Sequence, residues 1–348
     1  VNIRKPILFL LAVFFAVISI LLWRLRVAYI QKSPITLSFA NTPSATPTPN
    51  PLSIQTLRSR TYDSPAPTFV SHILSTDSYT KDLVSYISDG LKIYAVLTVP
   101  LAAAPAGGWP IIILNHGYIP PKEYDNTAKY VAYIDTLARG GYVVFMPDYR
   151  GHGDSEGTAS GGYYDPGYAI DVLNGISSVR KVSTVDPERL YLWGHSMGGN
   201  VAMRVRAVEP HIKATVIWAG VTGSFPMISK EFFGRPHTGA VPSEIRAHQT
   251  SGRSRIMELY GSPSASIPYW RDVDPMTTVA DIHTPIQIHH GESDETVPLQ
   301  VSVLFAEELK SAGVPHELFT YPGENHNING PAFDQAMERT IEFFNASK

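Results

Sequence analysis

Arg189-Leu190-Tyr191-Leu192-Trp193-Gly194-His195-Ser196-Met197-Gly198-Gly199-Asn200 joins a short apolar run to a helix-compatible stretch that continues to Val208. The join reads as a nucleophile elbow. In a G-x-S-x-G turn the flanking glycines lack Cβ atoms, so the chain turns sharply from strand into helix. The central residue holds a strained backbone with its side chain exposed. That residue is Ser196. A bare G-x-S-x-G is common, and its specificity here comes from standing between a buried-strand signature and an apolar-periodic helix. The bland alternative is a glycine-rich strand-to-helix turn without chemistry, and partners for the serine decide against it.

Outward from the elbow, strands and helices alternate. Asp82 to Ser88 and Leu91 to Val99 form two β-rich runs around Asp89-Gly90, a dipeptide that favours a tight hairpin. Ile111 to Leu114, Tyr142 to Met146, Leu190 to Trp193, Ala214 to Trp218, Pro285 to His289 and Glu317 to Tyr321 read as strands. Thr127 to Leu137, Asp165 to Val179, Val201 to Val208, Val301 to Leu309 and Phe333 to Phe344 read as helices. Buried-type strands alternating with amphipathic helices predict an α/β fold, a mostly parallel central sheet with helices on both faces. In such a sheet the site lies beyond the carboxyl ends of the strands.

The partners occur there. Asp294 follows the strand ending at His289, and His326 follows the strand ending at Tyr321. A serine hydroxyl is a poor nucleophile until a base takes its proton, so His326 is the expected base and Asp294 the group that fixes its tautomer and stabilises its cation. Glu292 and Glu295 remain alternative acids. His289, His290 and His316 compete with His326, but they fall within or at the start of predicted strands. Adjacent strand residues point to opposite faces, which argues against a metal shared by His289 and His290. For the oxyanion, two backbone N–H groups are expected: that of Met197, at the start of the helix after the serine, and that of Tyr118, in Asn115-His116-Gly117-Tyr118.

Together with Asp148-Tyr149-Arg150-Gly151-His152-Gly153, His290-Gly291-Glu292-Ser293-Asp294 and Tyr321-Pro322-Gly323-Glu324-Asn325-His326, these motifs resemble those of α/β-hydrolases. The order Ser196, Asp294, His326 is the order of that fold. The chain is most similar to the catalytic domain of the prolyl oligopeptidase family and its dienelactone-hydrolase relatives, from about Asp82 to the C-terminus. The resemblance implies that Ser196, Asp294 and His326 form a triad, with Tyr118 and Met197 as oxyanion donors. One departure stands out: the large β-propeller of prolyl oligopeptidase-type peptidases has no room between the Pro-rich segment and Asp82.

Before the hydrolase-like region, Pro6 to Trp23 is uninterrupted by charge and bracketed by Arg4, Lys5, Arg24 and Arg26. At 1.5 Å per residue it covers most of the ~30 Å hydrocarbon core, so a transmembrane helix is expected. Residues 31–70, rich in Pro, Ser and Thr, read as a stalk. The expected organisation is an anchor over 1–30, the stalk over 31–70 and a catalytic domain over 71–348, placed outside the cytoplasm. Residues 219–284 carry Phe225, Phe232, Phe233, Tyr260, Tyr269 and Trp270, in the place of a possible cap that either lines a pocket or packs its own helices.

Composition narrows the function. The 348 residues are 44% hydrophobic and carry a net charge of −3 without a basic stripe, which argues against nucleic acid as a partner. The absence of cysteine excludes disulfides and thiolate chemistry. The expectation is a membrane-anchored serine hydrolase working through an acyl-enzyme, with no cofactor or metal, on a small ester or a short peptide-like amide. A family peptidase, an acyltransferase and a catalytically silent binding module are the other readings.

Overall fold

The computed structural model describes residues 18–24, 50–159, 162–163, 165–234 and 257–347. The chain divides into two units, Val1–Thr48 and Pro49–Lys348. In the first, residues 18–24 are helical, and those of 18–23 that are large and apolar are exposed. The expected span over Pro6–Trp23 falls mostly outside the described residues. Among those described, no helix is long and apolar enough to cross a membrane.

The second unit is built on a nine-stranded sheet ordered β1-β2-β3-β5-β4-β6-β7-β8-β9. The strands are β1 (Thr68–Ser75), β2 (Tyr79–Ser88), β3 (Leu91–Pro100), β4 (Trp109–Asn115), β5 (Val143–Pro147), β6 (Val185–His195), β7 (Ile212–Trp218), β8 (Ile286–Gly291) and β9 (His316–Tyr321). From β5 through β4 to β9 all neighbours pair in parallel, while β1, β2, β3 and β5 pair antiparallel. This is an α/β-hydrolase-like sheet with an antiparallel edge. The β2–β3 hairpin turns at Asp89 (φ 51°) and Gly90 (φ 82°), the two positive φ values a tight hairpin requires.

The period-two pattern of the central strands explains the helices on both faces. Ile111, Ile113, Leu190 and Leu192 enter one core, whereas Ile112, Leu114, Tyr191 and Trp193 enter the other. The first core packs under α3 (Gly167–Val179) and α4 (Met197–Val208), and the second under α2 (Val131–Arg139) and α8 (Gly330–Ala346). Helix α2 starts four residues later than its apolar pattern suggests, because Tyr130 sits in the left-handed region (φ 58°) and breaks the helical run.

One expectation changes, and one alternative left open in the sequence is narrowed. The packed body begins near Asn50, not Ser71: within the supposed stalk, α1 (Ile54–Ser59) is capped by Ser53 Oγ, which accepts from Thr56 N. Its Ile54 and Leu57 are buried against Ile170 and Ala207. Burying these two side chains drives the packing, at roughly 1.5–3 kcal/mol each. In the segment 219–284, α5 (Phe225–Ile228), a π-helical turn (Ser229–Phe233), α6 (Pro268–Val273) and a 3₁₀ turn (Pro275–Asp281) are described. There Phe225, Phe232, Tyr269 and Trp270 are buried in the first core, so these aromatics pack helices.

Candidate active site

The elbow has the geometry its sequence requires. Ser196 follows β6 with φ 55° and ψ −122°, a conformation rare for any residue with a Cβ. Backbone bonds over-determine it: Ser196 N donates to Trp218 O, and Ser196 O accepts from Gly199 N and Val221 N, each at 3.0 Å. The flanking glycines are steric necessities. A Cβ on Gly194 would stand 2.6 Å from Gly198 O, and one on Gly198 would stand 2.0 Å from Asn115 O. The elbow is thus pressed directly against the end of β4.

Ser196, Tyr118 and His326 line one cavity of about 320 Å³, with Gly117, Tyr130 and His195 also on its wall. Among the described residues, Lys129 is the charged side chain that lines it, and none of the lining side chains is a carboxylate. Met197 opens α4 directly after the serine, where the helix's unpaired N–H groups and dipole favour an anion. Tyr118 is half-buried on the loop after β4.

Behind the cavity, His326 Nδ1 lies 2.7 Å from Asp294 Oδ2. Asp294 is itself fixed: its Oδ1 accepts from Thr296 N and Val297 N at 2.8 Å, which the chain achieves by turning from β8 toward α7 (Leu299–Ser311). Burial pushes the Asp294 carboxyl up, but hydrogen bonds from His290 and His326 outweigh this and hold it well below the usual carboxylate range. Glu292 instead accepts from Thr320 Oγ1, and Glu295 is exposed.

The competing histidines have other partners. His289 faces Tyr321 Oη and Gln287 Oε1 on one side of β8, while His290 faces Ser302 Oγ and Val297 O on the other. Burial takes the His289 pKa down to about 3, so its imidazole is neutral. His316 bonds the nearby Val314 O. Among the described residues, no group of three His, Asp or Glu side chains is placed to hold a metal ion.

Sequence reasoning assigned no place in the site to two residues in direct contact with this set. His290 Nε2 lies 3.2 Å from Asp294 Oδ2, and His195 Nε2 lies 3.3 Å from His326 O. For His290 the i,i+4 spacing to Asp294 was the available signal. For His195 it was the position next to the serine.

Comparison with known proteins identifies the family and the fold. A family model described as the prolyl oligopeptidase family matches residues 128–347, more than half of the chain. An uncharacterized peptidase of Bacillus subtilis, YtmA, is 25% identical over 252 residues, covering 70% of this chain and 84% of its own. Among solved structures, an acetyl xylan esterase from Paenibacillus sp. R4 superposes with a TM-score of 0.60 at 20% identity, over 83% of this chain and 91% of its own. Porphyromonas gingivalis dipeptidyl peptidase 4 superposes with a TM-score of 0.59 at 19% identity, over 78% of this chain. The match spans only 36% of that peptidase. At these identities the two structures establish the fold.

Proposed function

The chain belongs to the prolyl oligopeptidase family of serine hydrolases, and from that premise we propose that it cleaves small carboxylic esters through Ser196, His326 and Asp294. The observation that carries this reading is the convergence of Ser196 and His326 on one cavity, with the His326 Nδ1 bonded to buried Asp294.

In the proposed mechanism, Ser196 Oγ attacks the ester carbonyl carbon as His326 takes the hydroxyl proton on Nε2. Asp294 stabilises the imidazolium through Nδ1–H. The oxyanion is held by the N–H groups of Met197 and Tyr118. Collapse expels the alcohol, which leaves with the proton from His326, and the acyl group stays on Ser196. Water, deprotonated by His326, then attacks the acyl-enzyme and restores Ser196.

The cavity supports ester over peptide specificity. A substrate bearing a free α-ammonium would find Lys129 and no carboxylate among the described residues that line the cavity. An amide also demands protonation of a poor leaving group and tighter positioning. Peptidase activity is the second reading, supported by the family and by the likeness to the uncharacterized peptidase YtmA. The test is a panel of short-chain aryl esters against aminoacyl and dipeptidyl anilides, in which kcat/KM is expected to be higher for the esters. A dipeptidyl anilide as the better substrate would replace the ester reading with the peptidase one.

The apolar run Pro6–Trp23 and the Pro/Ser/Thr-rich residues after it support a membrane anchor and spacer, with the hydrolase outside the cytoplasm. Release of the full chain from membranes by alkaline carbonate would overturn the anchor.

A further inference from the structure

Tyr130 has two unusual properties: it holds a left-handed backbone conformation at the head of α2, and its hydroxyl lies between two separate walls of the cavity. Tyr130 Oη is 2.7 Å from Gly117 N and 2.7 Å from His195 Nδ1. The proton directions follow from chemistry. Gly117 N–H can only donate, so Tyr130 Oη accepts from it, and because His326 O can only accept, His195 carries its proton on Nε2 and takes the Tyr130 hydroxyl proton on Nδ1. His195 Nδ1 is then bare, and Nε2–H donates to His326 O at 3.3 Å. Burial pushes the Tyr130 hydroxyl pKa up and takes that of His195 down to about 3, so neither group changes charge near neutrality.

The other side of Gly117 is tied as well. Gly117 O accepts from His116 Nδ1 at 2.7 Å. That carbonyl shares a peptide plane with the Tyr118 N–H, which therefore points the opposite way. Gly117 lies close against the elbow: a Cβ there would stand 3.0 Å from Tyr130 Oη and 3.1 Å from Ser196 Cβ.

We propose that Tyr130 is a positioning residue whose hydroxyl sets the oxyanion loop, residues 115–118, in register with the Ser196 elbow and, through His195, with the His326 loop. The proposal rests on the serine-hydrolase reading of the site. In this role Tyr130 acts by fixing where the Tyr118 N–H stands when charge develops on the substrate oxygen. Its contribution therefore belongs to the transition state and not to substrate binding.

The experiment compares wild type, Tyr130→Phe and Ser196→Ala on 4-nitrophenyl acetate, with inhibition by phenylboronic acid, which forms a tetrahedral adduct on the serine. Removing a whole oxyanion donor costs about 10²–10³ in kcat, and a loosened one less. Tyr130→Phe is expected to lose roughly 10- to 100-fold in kcat with KM within about two-fold, and the boronate Ki is expected to rise in step with the loss. A folded Tyr130→Phe with wild-type kcat, or a changed KM with an unchanged boronate Ki, would overturn the proposal. The relay is also read in the wild-type protein by ¹⁵N NMR of its histidines, with His195 assigned through its loss in His195→Gln. A neutral His195 with its proton on Nε2 from pH 5 to 8 is expected, and a proton on Nδ1 would overturn the relay whether or not Tyr130→Phe folds. An active Ser196→Ala would instead reject the serine-hydrolase reading, while the tautomer measurement still judges the relay.

Discussion

His290 Nε2 stands 3.2 Å from Asp294 Oδ2, the oxygen that also faces His326 Nδ1 at 2.7 Å, so one buried carboxylate lies between two imidazoles. Val297 O, 2.8 Å away, accepts from the same His290 nitrogen and requires the proton to be there. His290 Nδ1 then accepts from Ser302 Oγ. The arrangement keeps Asp294 ionised from both sides.

Asp294→Asn is expected to lower kcat by about 10⁴, as in the serine-protease template, while Glu292→Gln and Glu295→Gln retain near-wild-type rates. Stability carries a second signature. The folded-state pKa lies below the ordinary 3.8, so the ionised carboxylate contributes stability that is complete above that value and is lost as pH falls through the lower folded value. The melting-temperature advantage of wild type over Asp294→Asn should be present at pH 7 and shrink below pH 4. A gap independent of pH would mean that the two imidazoles do not favour the ionised form.

A second Ser–His–Asp alignment lies on the sheet edge, where Ser75 Oγ is 3.1 Å from His72 Nε2 and His72 Nδ1 is 2.7 Å from Asp82 Oδ1. Ser75 and His72 are exposed on β1, outside the cavity at Ser196. Alignment without a water-excluding site and oxyanion donors gives little activation. A fluorophosphonate probe should therefore label wild type and Ser75→Ala equally and fail on Ser196→Ala. Labelling lost in Ser75→Ala would move the nucleophile to the edge strand.

Asp148, after β5, accepts from Tyr124 Oη at 3.0 Å and Asn126 Nδ2 at 2.8 Å. Burial raises its pKa to about 7 against these hydrogen bonds, with smaller upward contributions from Asp154 and Asp125. The sign is opposite to that of Asp294. The unfolded chain ionises this carboxyl near pH 4, so its stabilising contribution is full below pH 4 and is lost as pH rises through about 7. The melting temperature of wild type relative to Asp148→Asn should fall between pH 4 and 8. Parallel curves for the two proteins would remove Asp148 as the source.

A chain beginning at Asn50 should be more stable than one beginning at Ser71. The shorter one loses Ile54 and Leu57 from their cluster with Ile170 and Ala207, worth at most roughly 3–6 kcal/mol. It also loses the Arg58 Nε bond to Ala207 O at 2.6 Å. Equal melting temperatures would show that α1 contributes no net stability.

The parts of this molecule with a strong period were legible in the sequence. Ile111-Ile112-Ile113-Leu114 read as a strand because both its faces are buried, and the elbow glycines read correctly because only backbone fits beside them. Helix α1 was hidden because six residues inside a Pro/Ser/Thr-rich segment carry only two buried apolar positions, Ile54 and Leu57. Ser53 before that pair was the local sign of a capped turn. Tyr130 and its link to His195 were illegible for another reason: that contact is tertiary. Tyr130 reaches Gly117 across 13 residues and His195 across 65, distances that no local pattern encodes.

Helix α1 also decides where mechanical load enters the hydrolase. Tension arriving along the chain from upstream of Asn50 meets the buried Ile54 and Leu57, and the Arg58–Asp281 pair, before it meets any strand. Those contacts tie the incoming chain to helices α3 and α4 and to the segment before β8. The edge strand β1 follows α1 in the chain, so a pull applied at Asn50 would reach the sheet only after α1 had peeled away.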